Sequence, residues 1–448
     1  MKPYNLFGVI LVVLGFMGPH PVAAQTPDSL DRYLETAAKN NPGLNADFLA
    51  YKASLEKVPQ AGAWPDPQLD IGFFLKPMDI VGGRQIADFT LMQMFPWFGT
   101  KKAAQTEATH MAKMTYARFT ETRDNLYLEV YTQWYLLSTL VQQLRNNREN
   151  LELLKQLEEL ALRKVSSPYS SSSSGYTVPA ASQATKGTVT GMSDVLRVQL
   201  EMAEIENNIE SILSEIAAEK AKFNALLNRS TDREVILPDS IAKVPFFFDE
   251  GVTMSEIENR NPMLDMLVEE EQAYRAKGEM DQKMSYPMFG IGLQYMLIDK
   301  SATAQMEQGM EPEMTGMDMI MPMVSISLPL YRNKYKAQQQ ESRFMWQSAR
   351  EKYNNTLNLL QSDLFRLKHQ LDDAERKIAL YQKQEQLART TYQLVVQEFV
   401  SAKSDLTNVI QVQRQLLDYQ LRQAEAIAEY NTRVASIRKL RSFNTSNN

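Results

Sequence analysis

Seven of the eighteen residues from Met306 to Met323 are methionine: Met306, Met310, Met314, Met317, Met319, Met321 and Met323. The charges among them are Glu307, Glu311, Glu313 and Asp318. Thioethers are soft neutral ligands suited to Cu(I) and, by the same logic, to Ag(I). The same side chains also make a permissive apolar surface, and Met319, Met321 and Met323 alternate as a strand does. Both readings stay open. A second chemistry attaches to two acids. Ser193-Asp194 and Ser404-Asp405 stand at matched positions where two helices are expected to begin. An acid there complements the helix dipole. Gathered round a symmetry axis, Asp405 with Ser404 and Asp194 would instead narrow a pore and favour cations. Catalysis is not expected. The chain has no cysteine, no glycine-rich phosphate loop and no clustered acid–base set, so neither an active site nor a cofactor is read from it. Beyond residue 24 the histidines are His110 and His369. Each lies inside a long helical stretch and reads as a surface or packing residue.

Composition narrows the partners. A formal net charge of −6 over 448 residues argues against nucleic acid, which is met by a basic face. Residues 1–24 read as a cleaved secretory signal: Lys2, an apolar run from Leu6 to Met17, then Val22-Ala23-Ala24 before Gln25. That run is too short to span a membrane, and no later segment offers ~20 continuous apolar residues. An exported chain without cysteine has no disulfides and no thiol to carry an N-terminal lipid.

The elements that position these residues come as a repeat. Phe289, Ile291, Leu293, Tyr295 and Leu297 alternate with Gly290, Gly292 and Gln294, the period of a strand with one apolar face. Val324, Ile326, Leu328 and Leu330 alternate in the same way after the methionine run. From Asn333 the pattern turns helical for more than sixty residues. The first half carries the same unit. Asn41, Pro42, Leu44, Pro67, Ile71 and Gly72 recur as Asn261, Pro262, Leu264, Pro287, Ile291 and Gly292, at an offset of 220. Pro96 and Lys101 recur as Pro329 and Lys334 at 233, so the second hairpin is 233 − 220 = 13 residues longer. Ser193-Asp194 recurs at 211, which leaves 233 − 211 = 22 extra residues in the first half. They fall on Ser166–Gly191, a stretch of linker composition around the serine run 170–174. A phased match this long points to duplication.

Residues 25–235 form the first unit, with strands about 68–75 and 86–95 joined by a turn at 76–83, and long helices about 100–165 and 192–228. Residues 236–253 connect it to the second, 254–441, with strands about 287–297 and 321–330 and long helices about 333–399 and 403–440. Residues 442–448 are a polar tail. Leu137, Val141, Leu144, Leu151 and Leu154 keep a coiled-coil rhythm, answered by Ile205, Ile209, Ile212 and Ile216. Leu357, Leu360, Leu364, Leu367, Leu371, Ala374, Ile378 and Tyr381 keep it more strictly, and Leu406, Val409, Val412, Leu416 and Tyr419 continue it. Strict repeats of this kind mean extended helices packed side by side, not a globular core.

Phe73, Leu91, Ile291, Leu293 and Ile326 are read as facing lipid, from the alternation of strands that are about long enough to cross an outer membrane. Phe95, Trp97 and Phe98 suit either a membrane–water boundary or a local core under the hairpin. A small polar residue such as serine is expected to be tolerated at Gly292. Sheet edges cannot be left in lipid, so a barrel must close, and four strands are too few when the smallest have ~8. Three copies would supply twelve strands and six pairs of long helices.

The doubled unit resembles the TolC-type outer-membrane factor family over essentially all of 28–440. The resemblance is carried by the Asn-Pro pairs at 41–42 and 261–262, by FPWFG at 95–99 and LPLYR at 328–332, and by the segments around Ser193-Asp194 and Ser404-Asp405. It implies a mainly helical chain with membrane β-structure. The homotrimer would form a twelve-stranded β-barrel in the outer-membrane lipid, continued by a helical barrel in the periplasm, whose closed tip opens on docking. It implies no enzyme but the exit duct of a tripartite efflux system, with a periplasmic adaptor (membrane fusion protein) and an inner-membrane pump. The methionines would suit the heavy-metal branch, with copper or silver as cargo and a resistance-nodulation-division pump. A type I secretion duct, or a methionine-rich periplasmic metal-binding or adaptor protein with no channel, are the alternatives. The chain departs from many relatives in the 22-residue insertion and in lacking a lipidation cysteine.

Overall fold

A computed structural model describes residues 30–77, 79–80, 83–166, 192–299, 316–401 and 403–443. The expected signal, all but Ser166 of the Ser166–Gly191 insertion, Met306, Met310, Met314 and residues 444–448 lie outside the described residues. In chain order the elements are α1 (Leu30–Asn40), α2 (Pro42–Gly62), β1 (Gln68–Phe73), β2 (Asp79–Ile80), β3 (Gly83–Phe95), α3 (Thr100–Ser166), α4 (Met192–Leu226), α5 (Glu250–Arg260), α6 (Pro262–Met284), β4 (Met288–Asp299), β5 (Met319–Ser327), α7 (Arg332–Val400) and α8 (Leu406–Leu440). The chain is mostly helical with one small sheet.

The segment read as a turn at 76–83 holds β2, which pairs with Arg84 and Gly83 at the start of β3. Leu75, Leu328 and Leu330, read as strand positions, lie outside β1 and β5. Pro77 and Pro329, which cannot donate to a ladder, stand beside them. No helix among the described residues is long and apolar enough to cross a membrane.

Helices α3 and α7, with 67 and 69 residues, contain no proline or glycine and run on the order of 100 Å each. Apart from α1, which packs on α3, and α5, which packs on α7, the helices stand in four columns. Near the sheet the order is α2, α3, α6, α7; at the far end it is α4, α3, α8, α7. Thr122 on α3 bonds to Asp47 on α2, and Trp346 on α7 bonds to Glu271 on α6. Farther along, Gln199 on α4 bonds to Glu158 on α3, and Gln143 on α3 bonds to Glu425 on α8.

The two Asn-Pro pairs join the stacked helices. Asn41 caps α2 by accepting from the Leu44 amide (3.1 Å) and donates to the Leu226 carbonyl at the end of α4 (3.0 Å). Asn261 caps α6 through the Met263 amide (3.0 Å) and donates to the Leu440 carbonyl ending α8 (2.9 Å). One side chain thus satisfies an orphan donor of one helix and an orphan acceptor of the next.

The coiled-coil rhythm marks buried residues. Leu144, Leu154, Ile205, Ile209, Ile216, Leu406 and Val409 share one core. Leu360, Leu364, Leu367, Leu371 and Ala374 share another with Tyr430, Val434 and Ile437. Val141, Leu151, Ile212, Leu357 and Ile378 are half-buried and pack against these cores. Val412 is half-buried as well, while its neighbour Gln413 is buried and hydrogen-bonded to Asn150.

The four main strands form one antiparallel sheet in the order β1-β3-β4-β5. The two hairpins are merged through β3 and β4, so β1 and β5 are its open edges.

Candidate functional site

The sheet has two chemically distinct faces. Directly opposed residues share a face. Leu91 lies opposite Leu69 and Leu293, Phe89 opposite Ile71 and Tyr295, Ile291 opposite Val324, and Phe289 opposite Ile326. Phe73 stands opposite Ala87, which is opposite Leu297. All five residues read as lipid-facing therefore lie on one apolar face. All five are exposed, Phe73 at 71% and Ile291 at 62%.

The other face carries Gln68, Asp70, Asp88, Thr90, Gln294, Ser325 and Ser327. It also carries Met321 opposite Gln294, Met323 opposite Gly292 and Met319 opposite Met296. Met317 is exposed beyond the end of β5. Asp318, one of the charges in the methionine run, accepts from the Ile298 amide (3.1 Å) and from the Tyr295 hydroxyl, so it braces the end of the hairpin. Serine at Gly292 is not the harmless change expected from its phase in the strand. A Cβ there would lie 2.9 Å from the Leu91 carbonyl oxygen and 2.8 Å from the Met92 methyl.

Aromatic rings collect where the apolar face meets the helices. Trp97 stacks on Tyr286 and Phe289, with centroids 5.1 and 5.9 Å away, and Trp64 meets Phe95 edge-on at 5.3 Å. The Lys101 ammonium lies 3.3 Å over the Trp64 ring, a cation–π contact. Phe98 is 84% exposed, Trp64, Tyr286 and Phe289 are exposed too, and Phe95 and Trp97 are half-buried, so the rings form an open aromatic patch in which none is fully buried.

At the far end, both helical turns-back come together. Lys164 near the end of α3 donates to the Phe399 carbonyl of α7 (2.9 Å), and Arg197 on α4 donates to the Thr407 hydroxyl on α8 (2.7 Å). Arg414 on α8 grips Glu201 on α4 through two nitrogens. Beneath them Val195, Val198, Phe399, Leu406 and Val409 are buried together. Asp405 is the N-cap of α8 and accepts from the Asn408 amide at 3.0 Å. Ser404 accepts from the Asn408 side chain (3.3 Å). Asp194 lies in the first turn of α4. Asp405 is exposed and Asp194 half-exposed, so both carboxylates stand at one tip beside neighbouring helix starts. The sequence did not show that the two tips meet, because each contact joins residues about two hundred positions apart.

His110 on α3 faces α6, its Nδ1 2.6 Å from Glu269, and His369 is exposed on α7. Among the described residues no group of three or more histidines and acids is placed to hold a metal. The sequence reading missed the second role of Asn41 and Asn261, although their recurrence at one offset was the signal. It also missed four methionines, Met92, Met94, Met288 and Met296, which the register places on the polar face.

No protein-family model matches the sequence, and no curated protein matches it. Solved structures match the fold. The outer-membrane channel OprN gives a TM-score of 0.71 at 14% identity over 93% of this chain and 90% of its own. The outer membrane protein VceC of Vibrio cholerae gives 0.71 at 14% identity over 92% and 96%. CusC, a protein described by its folding and transmembrane channel formation, gives 0.70 at 12% identity over 93% and 92%. The chain therefore has the fold of outer-membrane channels, the fold that its duplicated layout resembles.

Proposed function

We propose that three copies of this chain close into a twelve-stranded barrel in an outer membrane, continued by a periplasmic tube of helices. The assembly is the passive exit duct of a tripartite efflux system. The observation that carries this reading is the sheet: four strands, an exposed apolar face opposite a polar one, and two unpaired edges. In lipid those edges must be satisfied, and β5 of one copy beside β1 of the next does so without new chain.

The helical layer supports the same closure. Leu380, Leu387 and Leu394 on α7 are exposed at heptad spacing, and Leu196 and Leu200 are exposed on α4 at the opposite margin. Each row is a seam without a partner within one chain. Likeness to outer-membrane channels adds to this reading.

In the duct the polar face lines the lumen and the tip faces an adaptor and an inner-membrane pump. The methionines between Met306 and Met323 favour copper or silver as cargo and a resistance-nodulation-division pump. Asp405, Ser404 and Asp194 form the constriction. The exposed Asp405 carboxylates then select cations, and the resting channel conducts poorly. Planar-bilayer recording tests this: the protein should give small cation-selective conductances blocked by multivalent cations from the tip side. Asp405→Ala should raise the resting conductance or weaken the block, and Asp194→Ala should do less. Unchanged selectivity and block in Asp405→Ala would reduce that residue to a helix cap. No conductance at all would remove the duct.

A further inference from the structure

From the row of Asp88, Met296 and Met319 to the row of Met288 and Ser327, the polar face holds no leucine, isoleucine, valine or aromatic residue. Its large apolar side chains are all thioethers: Met92 and Met94 on β3, Met288 and Met296 on β4, and Met319, Met321 and Met323 on β5.

Two glycines organise two of them and stand beside a third. A Cβ added at Gly290 would lie 2.6 Å from the Met94 sulfur and 3.2 Å from the Met92 sulfur. At Gly292 it would lie 3.0 Å from the Met92 sulfur. Both sulfurs therefore sit over the β4 backbone, in the space that side chains would fill, and converge at Gly290. Met323 stands on the other side of Gly292, directly across from it. Met92 and Met323 start two strand spacings apart, ~10 Å, with no side chain between them. Two methionine chains turned toward each other close that gap.

Gap-filling in a core does not account for this arrangement. Met92, Met94 and Met323 are only half-buried, and Met319 and Met321 are exposed. Their neighbours are Gln68, Thr90, Gln294 and Ser325.

We propose that Met92, Met94 and Met323, set around Gly290 and Gly292, form a contact site for a soft monovalent cation, Cu(I) or Ag(I). Neutral thioethers accept such ions and leave sodium, potassium and magnesium to oxygen ligands. Neutral ligands also hold the ion without a permanent counter-charge, as a wall that must release its cargo requires. The role in transport rests on reading this face as the wall of the duct; binding needs only the folded sheet.

The test is a calorimetric titration of the whole protein in detergent with silver nitrate in chloride-free buffer. Met92→Leu/Met94→Leu/Met323→Leu keeps apolar bulk and removes the sulfurs; Met192→Leu/Met345→Leu, at exposed positions on α4 and α7, is the control. The triple variant should lose one bound silver per chain, and the control should keep it. Should the triple variant fail to fold, as judged by circular dichroism, Met92→Leu and Met94→Leu are titrated singly and each should bind silver more weakly. Silver binding unchanged by removal of these sulfurs overturns the site, even if the protein conducts ions in a bilayer. Sulfur-dependent silver binding upholds it, even if no conductance is seen, and in that case it is the duct that fails.

Discussion

Asn261 holds two helix ends with one buried side chain, capping α6 and bonding the last carbonyl of α8. Alanine there removes the cap and orphans a buried carbonyl, at about 1–3 kcal/mol. Asn261→Asp keeps the cap acceptor but cannot donate to Leu440, so its unfolding midpoint should fall between wild type and Asn261→Ala. Equal midpoints for all three proteins would show that the bridge contributes nothing.

Acids between the helices carry a pH dependence. Burial is the main cause that pushes the Glu107 carboxyl above its usual range; Lys277 opposes it and Asp281 adds to it. Asp265 is likewise raised by burial and by nearby Glu269. Asp124 is raised too, but Arg123 and Ser442 hold its oxygens. An acid whose folded pKa is raised binds its proton more tightly when folded. Its contribution is fully present below the unfolded pKa and is lost as pH rises through the folded value. The stability that these acids contribute should therefore decline as pH rises above the unfolded carboxylate range of about 4. Glu107→Gln/Asp265→Asn should flatten that decline, as thermal scans in detergent can show. Parallel profiles for variant and wild type would contradict the assignment.

At the scale of elements, the sheet's two faces make opposite demands. Arginine at Ile291, on the apolar face opposite Val324, should cost ~2–4 kcal/mol near the middle of a membrane and prevent assembly. Arginine at Gln294, on the polar face, should assemble. Counting assembled protein in outer-membrane fractions decides it, and equal yields of both variants would mean that the apolar face does not meet lipid.

The strands and long helices were legible because their signals are local: alternation at 289–297, and a heptad rhythm unbroken by proline or glycine at 333–400. The apolar and polar faces followed from phase alone. What was not legible joins residues distant in sequence. Nothing in either hairpin announces that β3 and β4 pair, and nothing near Asn41 announces Leu226. Gly292 looked replaceable because its phase in the strand was visible, while the Met92 side chain and the Leu91 carbonyl that crowd it were not.

Among the described residues, four main strands and the helical columns leave unfinished surfaces: two strand edges, an apolar sheet face, and leucine rows at both margins of the helices. The repeat explains the economy, since each half supplies one hairpin, one long helix and one stacked column. It does not by itself fix the number of copies. Twelve strands exceed the ~8 of the smallest barrels, which side chains fill, and leave room for a lumen. The number of copies is therefore the property to measure, and native mass spectrometry in mild detergent reads it. The account predicts a trimer that stays associated until the barrel unfolds; a folded, stable monomer under the same conditions would contradict it.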